Sequence, residues 1–243
     1  MDKRPSGFTL IEIAIVLVIV GLLIGGVLAG QQLIHGARVR NLISQQDGVK
    51  AAFFGFQDRY RALPGDYNQA NTNISCGTGT PCFNGNGNGR IDTGTAGTTH
   101  EEISAWAHLA GAGFINGSYS MATSTTTAPT VGNTPKNPFG AYAQLAYDGL
   151  WGTSDHAFIA TRVLKHSIKT GNEVPVSILA EIDRKIDDGK PYTGSFQFST
   201  FNGGSVAPEI GGTSDQSCTD LDDAAGKWNL AGEQSNCGGA SLL

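Results

Sequence analysis

Charge is scarce in this chain. Lys, Arg, Asp and Glu make up 15% of its 243 residues against 40% hydrophobic residues, which excludes both a disordered acidic chain and a membrane protein of many spans. The formal net charge of −5 leaves no broad basic face, so nucleic acid is not an expected partner. Patterns that carry chemistry are lacking too. The five histidines (His35, His100, His108, His156 and His166) include no HExxH pair, and the four cysteines include no CxxC. The Asn/Gly run after Phe83 lacks the Lys-Ser/Thr of a phosphate-cradling loop. Ser154-Asp155-His156 are sequence neighbours whose side chains point in different directions, whereas a catalytic triad is assembled across a fold. No enzymatic function is expected. Glycine is abundant, with 34 residues concentrated in the second half, where many loops are expected. The length suits one ordinary domain, alone or with an appendage.

Apolar residues are spread unevenly. Phe8 to Gly30 reads FTLIEIAIVLVIVGLLIGGVLAG, and no charge follows Glu12 until past His35. At about 1.5 Å per residue this run is long enough to cross a bilayer. It continues into Gln31-Gln32 and a helical stretch, with no small-residue cleavage site behind it, so it reads as retained. Lys3 and Arg4 place the preceding segment on the cytoplasmic side, a vote weakened by Arg38 and Arg40 on the far flank. Glu12 is the anomaly, because an acid in the membrane core costs roughly 2.5–3.5 kcal/mol, less toward an end. In the first turn of a helix it would meet unpaired amides and the positive end of the dipole. Alternatively it needs a cation, and the uncut apolar run has none. Cleavage between Gly7 and Phe8 would create a free amine four residues before Glu12, able to pair with its own Glu12 or a neighbour's.

The segment Lys3-Arg-Pro-Ser-Gly7-Phe8-Thr9-Leu10-Ile11-Glu12 resembles the processing motif of type IV prepilins and type II secretion pseudopilins. The resemblance implies that a prepilin peptidase cuts after Gly7 and methylates the new N-terminus, Phe8. It also matches Glu12, the fifth residue of the cut chain, to the glutamate of that family. One departure concerns proline: many pilins carry one in the middle of the apolar segment, where this chain has Ala29. Gly21, Gly25, Gly26 and Gly30 are present instead, each lowering helix propensity by roughly 1 kcal/mol. They also form two small-xxx-small pairs that let helices approach closely, and neither effect is separable here from ordinary tolerance of glycine in membrane helices.

Past the apolar run, Val39, Leu42, Ile43, Val49, Phe53 and Phe56 fall within an arc of roughly 140° at helical period. Gln45, Gln46, Asp47, Lys50 and Gln57 provide polar relief, Gly48 is a mild interruption, and Pro64-Gly65 stops the helix. One rod from Phe8 to Gln57 would span roughly 75 Å. Half of it seeks lipid or other subunits, and half seeks a globular domain.

Four cysteines allow three pairings, of which Cys76–Cys82 with Cys218–Cys237 is the simplest because each pair is local. A Cys218–Cys237 bridge would stabilise by about 3 kcal/mol and imply an oxidising compartment. The resemblance also favours this bridge, since many pilins staple a C-terminal loop.

Asn84-Gly-Asn86-Gly-Asn88-Gly89-Arg90-Ile91-Asp92 follows the start of a calcium loop: oxygen donors at alternate positions, glycine at the sixth and an aliphatic at the eighth. The leading positions are neutral Asn and the twelfth is Thr95, so any calcium would be weakly bound, with Glu101 or Glu102 as a late ligand only in a rearranged loop. A turn-rich loop explains the same residues.

Thr99-x-x-Glu102 reads as a capping box for a helix through Leu109, ended by Gly111 and Gly113. Pro175 to Asp187 reads as a second helix with Ile178, Leu179, Ile182 and Ile186 inward, Asp183, Asp187 and Asp188 solvated, and Gly189 as its C-cap. Expected strands are Ala141–Tyr147, Ala157–Leu164 and Gly194–Phe201, with an exposed loop at Ser118–Pro138. Leu63-Pro-Gly-Asp66, the Asn/Gly loop, Trp106-Ala-His108-Leu109 and Ile182-Asp-Arg-Lys-Ile-Asp-Asp-Gly189 extend the resemblance to a group of bacterial prepilin-like proteins.

The expected fold is α+β, a long N-terminal helix packed by its second half on an antiparallel sheet, with a disulfide-closed tail. Residues 1–7 are the expected cytoplasmic leader, 8–57 the helix with 8–30 in the membrane or filament core, and 58–243 the periplasmic or extracellular domain. The resemblance implies a filament subunit, with other subunits, prepilin peptidase and an inner-membrane assembly platform as partners. A secretion pseudopilin, a minor tip subunit, and a membrane-tethered module binding calcium or another ligand are the alternatives.

Overall fold

The computed structural model describes residues 9–77, 82–94, 100–121, 128–149, 164–201, 217–220, 226–232 and 234–243. Helix α1 runs unbroken over Leu10–Tyr60, 51 residues, three past the expected end. Arg61 closes it in the left-handed region (φ 52°), its N–H donating to Gln57 O, and Pro64-Gly65 follows. The helix passes through Gly48, whose surroundings are open.

Helices α2 (Ala70–Asn73) and α3 (Glu101–Gly111) come next, then strands β1 (Gln144–Asp148) and β2 (Lys165–Lys169), and helix α4 (Val176–Ile186). Strands β3 (Phe196–Phe198), β4 (Thr219–Asp220), β5 (Lys227–Trp228) and β6 (Gly239–Leu242) complete the described elements. The main sheet is antiparallel throughout in the order β1-β2-β6-β3, and β4 pairs with β5. The last strand therefore lies inside the sheet, Ser241 facing Ile168 on one side and Phe196 on the other. Gly239 makes room for a ring, since a Cβ there would meet Phe196 Cζ at 2.4 Å.

The apolar stripe of α1 divides between two clusters. Val49, Phe53 and Phe56 join Trp106 and Leu109 of α3 and Leu145 and Ile168 of the sheet. Val39 and Leu42 join Ile178, Leu179 and Ile182 of α4, together with Phe196, Phe198 and Trp228. Both expected disulfides are present, Cys76–Cys82 and Cys218–Cys237, the second tying the residue just before β4 to the segment leading into β6.

Several expectations need correction. Gln46 is buried, so it is not polar relief. Ile186 is 40% exposed, whereas Asp183 is fully buried beneath Trp228, whose Nε1–H donates to it at 2.7 Å. Tertiary packing against the C-terminal region turns α4 further than its own periodicity indicates. Helix α3 has His100 as its N-cap residue with no side-chain cap; Thr99 lies outside the described residues. The carboxylate of Glu102 instead accepts from Gly94 N at 3.2 Å and pairs with His100 Nδ1 at 2.9 Å. Strand β1 starts three residues later than expected, and residues 157–163 of the second expected strand lie outside the described residues. The neighbour of β1 is β2, which carries a fully buried lysine: Lys169 Nζ donates to Gln144 Oε1 at 2.8 Å and to Asp148.

Candidate functional site

Two regions hold the residues singled out above. The first is the start of α1. Thr9 is its N-cap in extended backbone, and Glu12 completes a reciprocal capping box. Glu12 Oε2 accepts from Thr9 N at 2.8 Å and from Thr9 Oγ1 at 2.7 Å, while Glu12 N donates to Thr9 Oγ1 at 3.3 Å. The acid is thus held at the helix start by the amide and the hydroxyl of Thr9. Gly7 and Phe8 lie outside the described residues.

From here to Ile34 none of the described residues covers the helix. Leu10 is 88% exposed and Leu33 is 72% exposed, and the apolar residues between them are open as well. Nothing lies within 4 Å of a Cβ built at Gly21, Gly25, Gly26 or Gly30. Among the described residues these small residues thus have no packing partner. This half of α1 is long and apolar enough to cross a membrane, and no part of its most apolar window is buried.

Residues 2–28 match the family model of the prokaryotic N-terminal methylation motif. The chain carries the type IV prepilin and pseudopilin signature. The match spans Gly7, Phe8 and Glu12 and the first part of the apolar helix. Signature and helix together fit a membrane-anchored precursor that becomes part of a filament. No curated protein and no solved structure matches the chain.

Where α1 leaves the apolar half, His35 Nε2 lies 2.9 Å from Glu181 of α4, and Lys185 Nζ lies 2.6 Å from the other oxygen of that carboxylate. The hydrogen bond from Lys185 holds Glu181 below the usual carboxylate range, with His35 adding to the effect. This cluster fastens the globular part at the point where the two halves of α1 meet.

The second region is the Asn/Gly loop. It packs backbone against backbone on the turn after α1: a Cβ at Gly85 would meet Gly65 O at 2.2 Å. Gly65 has φ 88°, and a Cβ there would meet Glu101 O at 2.4 Å. His108 locks the same turn. Its Nδ1 accepts from Gly65 N at 3.0 Å, leaving Nε2–H to donate to Phe83 O at 2.9 Å, and burial pushes this imidazole down to about 4.

The loop's own donors are spread over several partners. Asn84 Oδ1 accepts from Asn71 N at 2.9 Å, while Asn86 Nδ2 and Asn88 Nδ2 reach Asp92 Oδ2 at 3.2 Å and 2.7 Å. Two carboxylates that loop spacing alone did not bring in as they stand meet the loop's amides. Asp66 accepts from Asn88 N and Gly89 N, both at 2.9 Å. Glu101 accepts from Asn86 N at 2.8 Å and Asp92 N at 3.0 Å. Burial pushes Glu101 up to about 7, against these amide bonds, and the charges of Asp66 and Asp92 add to the rise. Asp66 is absent from the spacing pattern because it lies 22 residues before Asn88. The Leu-Pro-Gly-Asp turn is the sequence signal that marks it.

A third acidic group, Asp183, Asp187 and Asp188, has oxygens within 4.8 Å of one another. Asp187 accepts from Ser195 N and Phe196 N, and Asp188 from Lys190 N and Thr193 Oγ1, so these acids fasten the end of α4 to β3.

Proposed function

We propose that this chain is a structural subunit of a type IV pilus-like filament, made as a single-pass inner-membrane precursor with its globular domain on the periplasmic side. The observation that carries the proposal is the division of α1 beneath the matched motif: among the described residues nothing packs on residues 10–34, while Val39 to Phe56 are built into the core. In lipid such a helix gains little from hydrophobic burial alone, and close packing with copies of itself supplies the drive to associate. Prepilin peptidase would remove residues 1–7 and methylate Phe8. Glu12, held by Thr9 before cleavage, would then exchange that cap for the amine of a neighbouring Phe8 during extraction by the assembly platform.

The mass and N-terminal residue of the protein purified from cells test processing. A chain beginning at methylated Phe8 is expected, and a functional chain retaining Met1 refutes the proposal. A secretion pseudopilin or a minor tip subunit makes the same processing prediction. Electron microscopy separates them, because a major subunit is labelled along the whole fibre, a minor one at its end, and a pseudopilin on no surface fibre.

A further inference from the structure

We propose that Lys169 and Asp148 become joined by an isopeptide bond, the Nζ of Lys169 forming an amide with the side-chain carboxyl of Asp148 as one water leaves. The observation that carries this is how the β1–β2 ladder brings the two together. Gln144 faces Lys169 at one end of that ladder and Asp148 faces Lys165 at the other. Side chains alternate along a strand, so Lys169 and Asp148 stand on the same face of the sheet. Between them on that face Ala146 is opposite Ser167, and both are fully buried. This small pair leaves the lysine stem a path along the sheet. Its Nζ ends against Gln144 Oε1 at 2.8 Å and against Asp148 Oδ2, with the Phe201 ring 5.6 Å away.

The surroundings favour losing both charges. Lys169 is fully buried, and Asp148 keeps 13% of its side-chain surface exposed. Taking an ammonium and a carboxylate out of water costs more than their attraction returns unless both are fully satisfied. Burial pushes the Lys169 ammonium below the ordinary lysine range, against the pull of the Asp148 and Glu102 charges. An amide in their place is a single neutral group.

The step balances without an oxidant or a co-reactant. The ammonium of Lys169 passes one proton to the carboxylate of Asp148, leaving a neutral amine and a neutral acid. The amine attacks Cγ, so one N–C bond forms. The C–O bond to the protonated oxygen then breaks, and the departing hydroxyl takes a second proton from the nitrogen to leave as water. The partly open Asp148 gives that water an exit, while the buried Lys169 side keeps solvent from reversing the step. Well-oriented intramolecular partners react as though present at about 10⁵–10⁸ M, which makes up for the poor reactivity of an unactivated acid. Neither disulfide joins β1 to β2, and the amide would do so across 21 residues of sequence with a link that reductant leaves intact.

Mass spectrometry of the full chain, purified from cells in detergent, reduced, alkylated and unfolded, tests the proposal. The expected intact mass is one water below that calculated for whichever N-terminus is found. Digestion should release a branched peptide joining the Asp148 segment to the Lys169 segment. Lys169→Met and Asp148→Ala should each restore the missing water; if either fails to fold, the parent's mass and branched peptide still decide the matter. A parent of full mass, whose Lys169 reacts with an amine reagent once the chain is unfolded, overturns the proposal. Loss of ammonia with a branch at Gln144 overturns it too. So does a water loss that persists in Lys169→Met, which is the result expected if Asp148 closes instead onto the backbone nitrogen of Gly149.

Discussion

Asp183 carries a pH dependence that its neighbours set. Burial under Trp228 pushes its carboxyl up to about 7 from an ordinary 3.8, against hydrogen bonds from Trp228 and Gly189 and with repulsion from Asp188 and Asp187. The folded state therefore keeps a proton that the unfolded chain gives up. Its contribution to stability is full below about 3.8 and is lost as pH rises toward about 7. Asp183→Asn should remove that fall, measured as the difference in Tm between variant and parent across this window. His108 acts in the opposite direction: its neutral ring is favoured by burial, so its contribution is full above 6.5 and is lost as pH falls toward about 4. At Gly65, φ of 88° and the carbonyl of Glu101 at 2.4 Å from any Cβ leave room for no side chain. Gly65→Ala is expected to destabilise by about 1–3 kcal/mol in a denaturant titration, through backbone strain plus displacement of the loop.

Element by element, the second half of α1 is the wall on which the rest is built. Phe56 is fully buried, with Tyr60, Tyr67 and Phe114 around it at centroid distances of 4.6–6.1 Å. Phe56→Ala should cost about 3–5 kcal/mol, seen as a lower denaturation midpoint. Gly55 admits Phe114 to the same place, a Cβ there meeting its ring at 2.8 Å. At the other end of the domain, the Cys218–Cys237 bridge ties the segment leading into β6 to the residue before β4. Replacing Cys218 and Cys237 by Ser should cost about 3 kcal/mol on the chain-entropy model, read from the same denaturation midpoint. The two-residue strands β4 and β5 have little ladder of their own, which is why that region relies on a covalent link and on Trp228 packed beneath Phe198.

For the whole molecule, the capped Glu12 separates insertion from assembly. Glu12→Ala removes a side chain that the uncut helix uses only at its own start, so membrane insertion should be unchanged. On the proposed function, incorporation into filaments should fail, because the amine that cleavage would expose at Phe8 would then have no acid to meet in a neighbour. Membrane fractionation and filament yield measure the two separately, and normal filaments from this variant would remove the pairing role.

What could be read in the sequence follows how local each signal is. The apolar run, the stripe from Val39 to Phe56, the motif around Gly7 and Glu12 and the two short-range cysteine pairs depend on residues near one another in the chain, and periodicity and spacing report such arrangements directly. The placement of β6 inside the sheet, the burial of Asp183 and Lys169, and the meeting of Asp66 and Glu101 on one loop depend on contacts between distant segments. No local pattern encodes them, because a polar residue is buried or exposed according to what the rest of the chain brings against it. By itself, then, the sequence determined a rod with one half made for lipid or for its own kind. Only the tertiary structure decided which acids are buried and which of them converge.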